Sequence, residues 1–204
     1  SPGLFTSTVA YARAVFEIFP DEPTIGIMPE DGYISLCQCE LCKGKDTPER
    51  GWDGVMSDYV WDFVNRVAQE LYTTHPDKKV INSAYGSYRL PPEKIAKFSP
   101  NVMVVGPMAR DPARRARALE LRQAYLAKLQ PGNMITGGHY LHSRPGGPTE
   151  GIPAYFPHLI AEDLRSLKGL SQGEFIELSQ GRGASGGDMH APGFNHLNVY
   201  VTAR

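Results

Sequence analysis

Two carboxylates stand side by side in Met28-Pro29-Glu30-Asp31-Gly32-Tyr33, directly after a short apolar run. Cleaving a glycosidic bond takes one protonated carboxyl to assist the leaving group and one ionised carboxylate to attack or to activate water. Glu30 and Asp31 are candidates for one of these roles, although either also suits a plain turn before Gly32. Glu177 is the candidate for the other role. It interrupts the apolar run Phe175-Ile176-Glu177-Leu178, where a charge calls for a partner or a task. A salt bridge, or a polar rung inside a barrel, would answer the same call. Asp188, in Gly186-Gly187-Asp188-Met189-His190, is its rival, with the ordinary explanations open to any loop residue.

Aromatic and hydrogen-bonding side chains gather in the other interrupted stretches: Tyr85 and Tyr88, then His139, Tyr140 and His142, then Gln180, Arg182 and His190. Sugar rings favour such mixtures, because their C–H faces pack on aromatic rings while their hydroxyls take polar contacts. A metal site built from His139, His142 and His190 is a weaker alternative, since two histidines three apart on a loop form no recognised ligand motif. Arg110 heads a basic cluster with Arg114, Arg115, Arg117 and Arg122. Helical spacing spreads the later four around a solvated cylinder. Arg110 alone falls where a carboxylate such as that of a uronic acid could be bound.

All three cysteines lie in one hexapeptide, Cys37-Gln38-Cys39-Glu40-Leu41-Cys42. Three soft thiolates supply three corners of a tetrahedral zinc site and leave the fourth for a His or Asp from elsewhere. A disulfide between two of them, or reduced thiols that pin the loop, are the alternatives. In each case the cysteines hold the long loop after the acidic turn, and no other cofactor is expected.

The elements that must position these groups follow from periodicity. A helix capped by Ser7, with Tyr11, Ala14, Val15 and Ile18 on its apolar face, ends before Pro20. Thr24 to Met28 reads as a buried strand, and Val55 to Tyr72 as the clearest amphipathic helix. Lys79 to Tyr85, Asn101 to Val105, Asn133 to Thr136 and Glu174 to Leu178 read as four further strands. A short turn around Ile95 and Phe98 and helices over 112–129 and 155–167 connect them, and a last element begins near Phe194. Helices between short apolar strands imply parallel pairing with right-handed crossovers. The expectation is an α/β chain supplying the later five units of a (β/α)₈ TIM-like barrel, with an open sheet as the alternative. Ligands bind beyond the carboxyl ends of the strands in both.

The 204 residues suffice for one domain, 1–204. A net charge of −1 from 21 basic and 22 acidic residues gives no field for nucleic acid. No apolar run has the length of a membrane span, and Ser1 to Ala10 lacks the pattern of a signal peptide. A start without Met fits a processed protein or a fragment whose preceding barrel units are elsewhere.

Glu30-Asp31-Gly32, the cysteine hexapeptide, Ser57-Asp58-Tyr59 with Phe63-Val64-Asn65, Tyr85 with Pro91-Pro92, and Asn101-Val102 together resemble the bacterial family catalogued as domain of unknown function 4838. Leu197-Asn198-Val199-Tyr200 resembles that family's ending, so the likeness runs from about residue 24 onward. The resemblance implies the later part of a glycoside-hydrolase-like barrel, distantly similar to α-glucuronidases and hexosaminidase-type enzymes, in large exported proteins and hence a secreted or periplasmic location. Where the family often has Asn-Asp-Gly, Asp31 carries over and Glu30 departs, which favours Asp31. The function expected is a glycoside hydrolase acting on a polysaccharide or uronic-acid-containing glycan. The alternatives are a non-catalytic glycan-binding barrel and a metal-dependent hydrolase.

Overall fold

A computed structural model of the chain describes residues 1–107, 112–138 and 157–176, together with Leu197, Tyr200, Val201 and Ala203. Its elements run α1 (Pro2–Ile18), β1 (Thr24–Gly26), α2 (Ser57–Tyr72), β2 (Lys79–Ser83), β3 (Val102–Gly106), α3 (Pro112–Leu126), β4 (Met134–Gly138), α4 (Pro157–Ser166) and β5 (Ser171–Ile176). Single 3₁₀ turns form at Pro48–Arg50 and Gly86–Tyr88. All five strands are parallel and lie in chain order, β1-β2-β3-β4-β5. With right-handed crossovers, an order that never reverses keeps the connecting helices on one face and every strand's carboxyl end at one rim. The α/β class and the five parallel strands thus agree with the sequence reading.

The bounds and one helix face differ from expectation. α1 starts at Pro2, so Ser7 lies inside it and does not cap it. Pro at the first turn fixes the φ that a helix start needs. Its buried face is Val9, Ala12 and Phe16, against α2, while Tyr11 and Ile18 stay exposed. β1 is shorter than predicted because Pro29 has no N–H to offer a ladder, although Ile27 N–H still reaches the Ile81 carbonyl at 2.9 Å. β4 continues through Gly137 and Gly138, which read as loop in the sequence. A Cβ on Gly137 would stand 2.9 Å from Val105 Cγ1, so glycine there lets β4 close on β3. β5 begins at Ser171 rather than Glu174, with a register shift against β4 between Met134 and Thr136.

The core is centred on α2. Trp61, Val64, Val67, Ala68 and Leu71 are all buried, in contact with one cluster that includes Val80, Val102, Val104 and Met134 from the sheet. The link from β2 to β3 contains no α-helix, and α2 supplies its anchors instead. Asp58 Oδ1 accepts the backbone N–H groups of Glu93 (2.8 Å) and Lys94 (3.0 Å). Asn65 Oδ1 accepts Ser99 N–H at 2.7 Å, and Asn101 Nδ2 donates to the Ala68 carbonyl at 2.9 Å. Trp61 packs between Phe98 and Tyr125, with ring centroids 5.3 and 5.4 Å away, and its Nε1 donates to the Tyr88 carbonyl at 3.0 Å.

Truncating this residue separates packing from hydrogen bonding. Trp61→Ala is expected to destabilise by about 3–5 kcal/mol through the cavity it leaves. Trp61→Phe is expected to cost about 1–3 kcal/mol, because the Tyr88 carbonyl loses its donor and keeps only the long 3.5 Å approach of the Tyr125 hydroxyl. Urea midpoints at unchanged m-value measure both. A Phe variant as stable as wild type would show that the indole N–H contributes nothing.

Candidate functional site

The carboxyl ends of the neighbouring strands β1 and β2 bring two loops together. After β1, the chain turns through Glu30-Asp31-Gly32-Tyr33, where Tyr33 N–H meets the Glu30 carbonyl at 3.2 Å and Gly32 takes φ of 77°. That left-handed conformation suits glycine, which has no Cβ to clash. Both acids are exposed but diverge. Glu30 lines a groove of about 870 Å³ on the α1 side, with Phe5, Tyr33, Tyr59 and Phe63. Asp31 lies on the β2 side, within electrostatic reach of Tyr88.

After β2, Tyr85 opens the 3₁₀ turn and Tyr88 closes it. Their rings meet edge to face at 6.5 Å. Tyr88 is buried, whereas Tyr85 is 43% exposed. Burial first, then the negative charge of Asp31, pushes the Tyr88 phenol up to about 12, so it stays a neutral hydrogen-bonding group at physiological pH. The turn is held from several sides. Met56 N–H donates to the Ser87 carbonyl at 2.9 Å, and the Tyr125 hydroxyl donates to the Arg89 carbonyl at 3.1 Å. Arg50 donates to the Pro91 carbonyl at 2.7 Å and pairs with Asp58 at 3.4 Å and Glu93 at 3.3 Å.

The cysteine loop adjoins this turn. All three thiols are free, and their sulfurs lie within 4.8 Å of one another, a set that could hold a metal ion. Cys42 N–H and Lys43 N–H both reach the Cys39 carbonyl at 2.9 Å, and Cys39 N–H points to Cys37 Sγ at 3.4 Å. Cys42 is buried, with its sulfur 3.8 Å from the Tyr59 hydroxyl; Cys37 and Cys39 are exposed. Hydrogen bonds from the thiols of Cys37 and Cys42, then from Leu41 N–H, bring the Cys39 thiol down to about 7. Cys37 accepts Cys39 N–H, which alone would lower it. Its own bond to Cys39, then slight desolvation and the charges of Cys39 and Cys42, outweigh that and push it up.

Tyr33 joins the two features. Its carbonyl accepts the Ser87 hydroxyl at 2.5 Å. Burial, followed by the nearness of Cys42 and Cys37, raises its phenol. Tyr59, pushed up to about 12 by burial and then by Cys42, supports the same cluster. Neither tyrosine was a candidate from the sequence. Tyr59 falls there within the amphipathic helix read over Val55 to Tyr72, and nothing in the spacing ties residue 59 to residue 42. Of the sequence candidates, Tyr85 and Tyr88 come together with Asp31 within electrostatic reach of Tyr88, Glu30 lines the groove on the α1 side, and Cys37, Cys39 and Cys42 converge. Glu177, Arg110, His139, Tyr140, His142, Arg182, Asp188 and His190 lie outside the described residues, as do most of the predicted last element and the expected histidine metal site.

The thiol chemistry is directly measurable. With a chelator present, a brief iodoacetamide pulse at pH 7 is expected to label Cys39 first, and its rate to climb through pH 7 as the thiolate forms. Cys37, held higher, and Cys42, buried, should lag. Equal labelling of Cys37 and Cys39 by peptide mass spectrometry would refute the arrangement.

No helix among the described residues is long and apolar enough to cross a membrane. No curated protein and no solved structure matches the chain. The sequence model of one family, described as Domain of unknown function (DUF4838), matches residues 2–121. That stretch begins earlier than the resemblance read from the sequence and leaves the closing Leu197 to Tyr200 segment outside. It spans α1 to the middle of α3 and so takes in the acidic turn, the three cysteines and both tyrosines. The chain belongs to this family of Domain of unknown function (DUF4838) proteins.

Proposed function

We propose that the chain is the later part of a (β/α)₈ barrel that acts on carbohydrate as a glycoside hydrolase. In this reading Asp31 is one acidic residue, Glu177 is its partner, and Tyr85 and Tyr88 shape the sugar site. The observation that carries the reading is the convergence of Asp31 with an exposed and a buried tyrosine at the carboxyl ends of adjacent parallel strands. Barrel enzymes work at that rim. The unreversed strand order supports a singly wound sheet over a doubly wound one, whose order reverses at a switch point. Among the described residues the outer edge of β1 is unpaired, which suits further β/α units preceding α1. Arg110, Arg182, Asp188 and the histidines would complete the sugar contacts, and an exported location accompanies this reading.

One observation favours a second reading, a glycan-binding barrel without catalysis. Glu30 and Asp31 have different surroundings, so the acidic turn offers the tyrosine site one carboxylate, and catalysis would depend on Glu177 for the other. In either reading the thiol cluster supports the loop and takes no part in bond cleavage, and zinc is the ion suited to it.

The two readings separate on a panel of polysaccharides, including uronic-acid-containing ones. Hydrolysis predicts that Asp31→Asn and Glu177→Gln each lower turnover by about 10²–10⁴-fold, the usual worth of a general acid or base. Turnover unaffected by both changes would sink the hydrolase, and glycan retention without any turnover would establish the binding protein. Tyr85→Ala is expected to weaken glycan binding by about 0.5–1.5 kcal/mol, the scale of an aromatic stacking contact, measured by calorimetry. Undiminished affinity would remove Tyr85 from the site.

A further inference from the structure

The stretch from Ile27 to Thr47 connects β1 to the turn before α2 with little to hold it. Its internal backbone hydrogen bonds, among the described residues, are confined to the acidic turn and to Cys39–Lys45. Of its side chains only Ile27, Leu36 and Cys42 are buried. A loop of this length without secondary structure needs another source of order. Thin apolar burial is the situation in which a bound metal contributes folding free energy directly.

We propose that Cys37, Cys39 and Cys42 bind one zinc ion through three thiolates, with the fourth position open to solvent, and that this ion completes the fold of the loop bearing the acidic turn. The proposal rests on the supporting role given to the thiol loop above and is independent of the glycan reading. Three sulfurs already lie within 4.8 Å of one another, so little rearrangement separates the cluster from a common centre. Thiolate sulfur is a soft donor that selects zinc over magnesium or calcium. The backbone is arranged for it. The bonds from Cys42 and Lys43 N–H to the Cys39 carbonyl curl the chain so that Cys39 and Cys42 share one side, while Cys39 N–H faces Cys37 Sγ.

The buried Cys42 marks the inner side of the centre, where the Tyr59 hydroxyl, 3.8 Å from Cys42 Sγ, serves as a hydrogen-bond donor to a ligating thiolate. Cys37 and Cys39 are exposed, which puts the remaining corner on the solvent side, where water fills it. Order in the loop reaches the tyrosine turn through Tyr33, whose carbonyl is held by Ser87.

The test uses the whole chain, prepared under reducing conditions without a polyhistidine tag and loaded with zinc alone. Elemental analysis after gel filtration is expected to give about one zinc per chain, and Cys39→Ser and Cys42→Ser each to lower zinc affinity at least tenfold. X-ray absorption is expected to show three sulfurs at about 2.3 Å and one lighter atom at about 2.0–2.1 Å. Should a variant fail to fold, the wild-type chain still decides. Zinc is expected to suppress proteolytic cleavage between residues 27 and 47, and chelation to restore it, with the sheet elsewhere intact. Zinc failing to bind, four sulfurs around the ion, or cleavage in this stretch indifferent to zinc would each overturn the proposal. Glycan retention, measured separately on the zinc-loaded protein, reports on the carbohydrate reading alone.

Discussion

A polar side chain on the buried side of a helix calls for a partner there, because an unmatched buried polar group costs on the order of 1–3 kcal/mol. Of the buried polar groups on α2, Asp58, Trp61 and Asn65 are matched by the link between β2 and β3, whereas the Ser57 hydroxyl at the start of the helix has no hydrogen-bond partner. The dependence runs both ways. The link has no helix of its own, and without those partners its backbone N–H groups at Glu93, Lys94 and Ser99 would lack acceptors. The rest of the structure follows from this lock. It fixes where β3 enters the sheet, and it sets the Tyr88 carbonyl, and therefore the tyrosine turn, at a defined height above β2.

The same lock gives physical content to the Ser57-Asp58-Tyr59 and Phe63-Val64-Asn65 segments that carry the family likeness. Asp58 and Asn65 are backbone anchors, not reactive groups. Tyr59 is different: it reaches out of the lock toward Cys42. α2 therefore serves two clients at once, the tyrosine turn through Trp61 and the cysteine loop through Tyr59, and these clients meet again at the contact of Ser87 with Tyr33. The parallel sheet makes that meeting possible, because β1 and β2 are neighbours and release their loops at the same rim.

Local patterns made the alternation of strands and helices readable from the sequence, and α2, with its strong periodicity, most of all. Apolar residues on both faces made α1 ambiguous. Leu4, Tyr11 and Ile18 compete with Val9, Ala12 and Phe16, and only contact with α2 decides which set is buried. Gly137 and Gly138 look like loop residues in the sequence, so β4 reads short there; the close approach of Val105 to Gly137 is a fact of tertiary packing. At the site, Asp31, Tyr85, Tyr88 and the three cysteines were legible because residue type and strand ends announce them. The different surroundings of Glu30 and Asp31 were not, since residue type alone does not say which neighbour each side chain of a turn meets. Nor was the junction at Tyr33, Tyr59 and Ser87, whose members are far apart in the chain.

The two tyrosines differ in packing as well as in exposure. Tyr88 is fixed on all sides, and Tyr85 rests against it edge to face, so the outer ring leans on a wall that does not move. One side of the ring is therefore in contact before any ligand arrives. A ring that settles on Tyr85 therefore meets a side chain that already has one packed neighbour, so part of the ordering cost that weakens contacts with free surface side chains, about 0.5–1.5 kcal/mol each, is met by the fold.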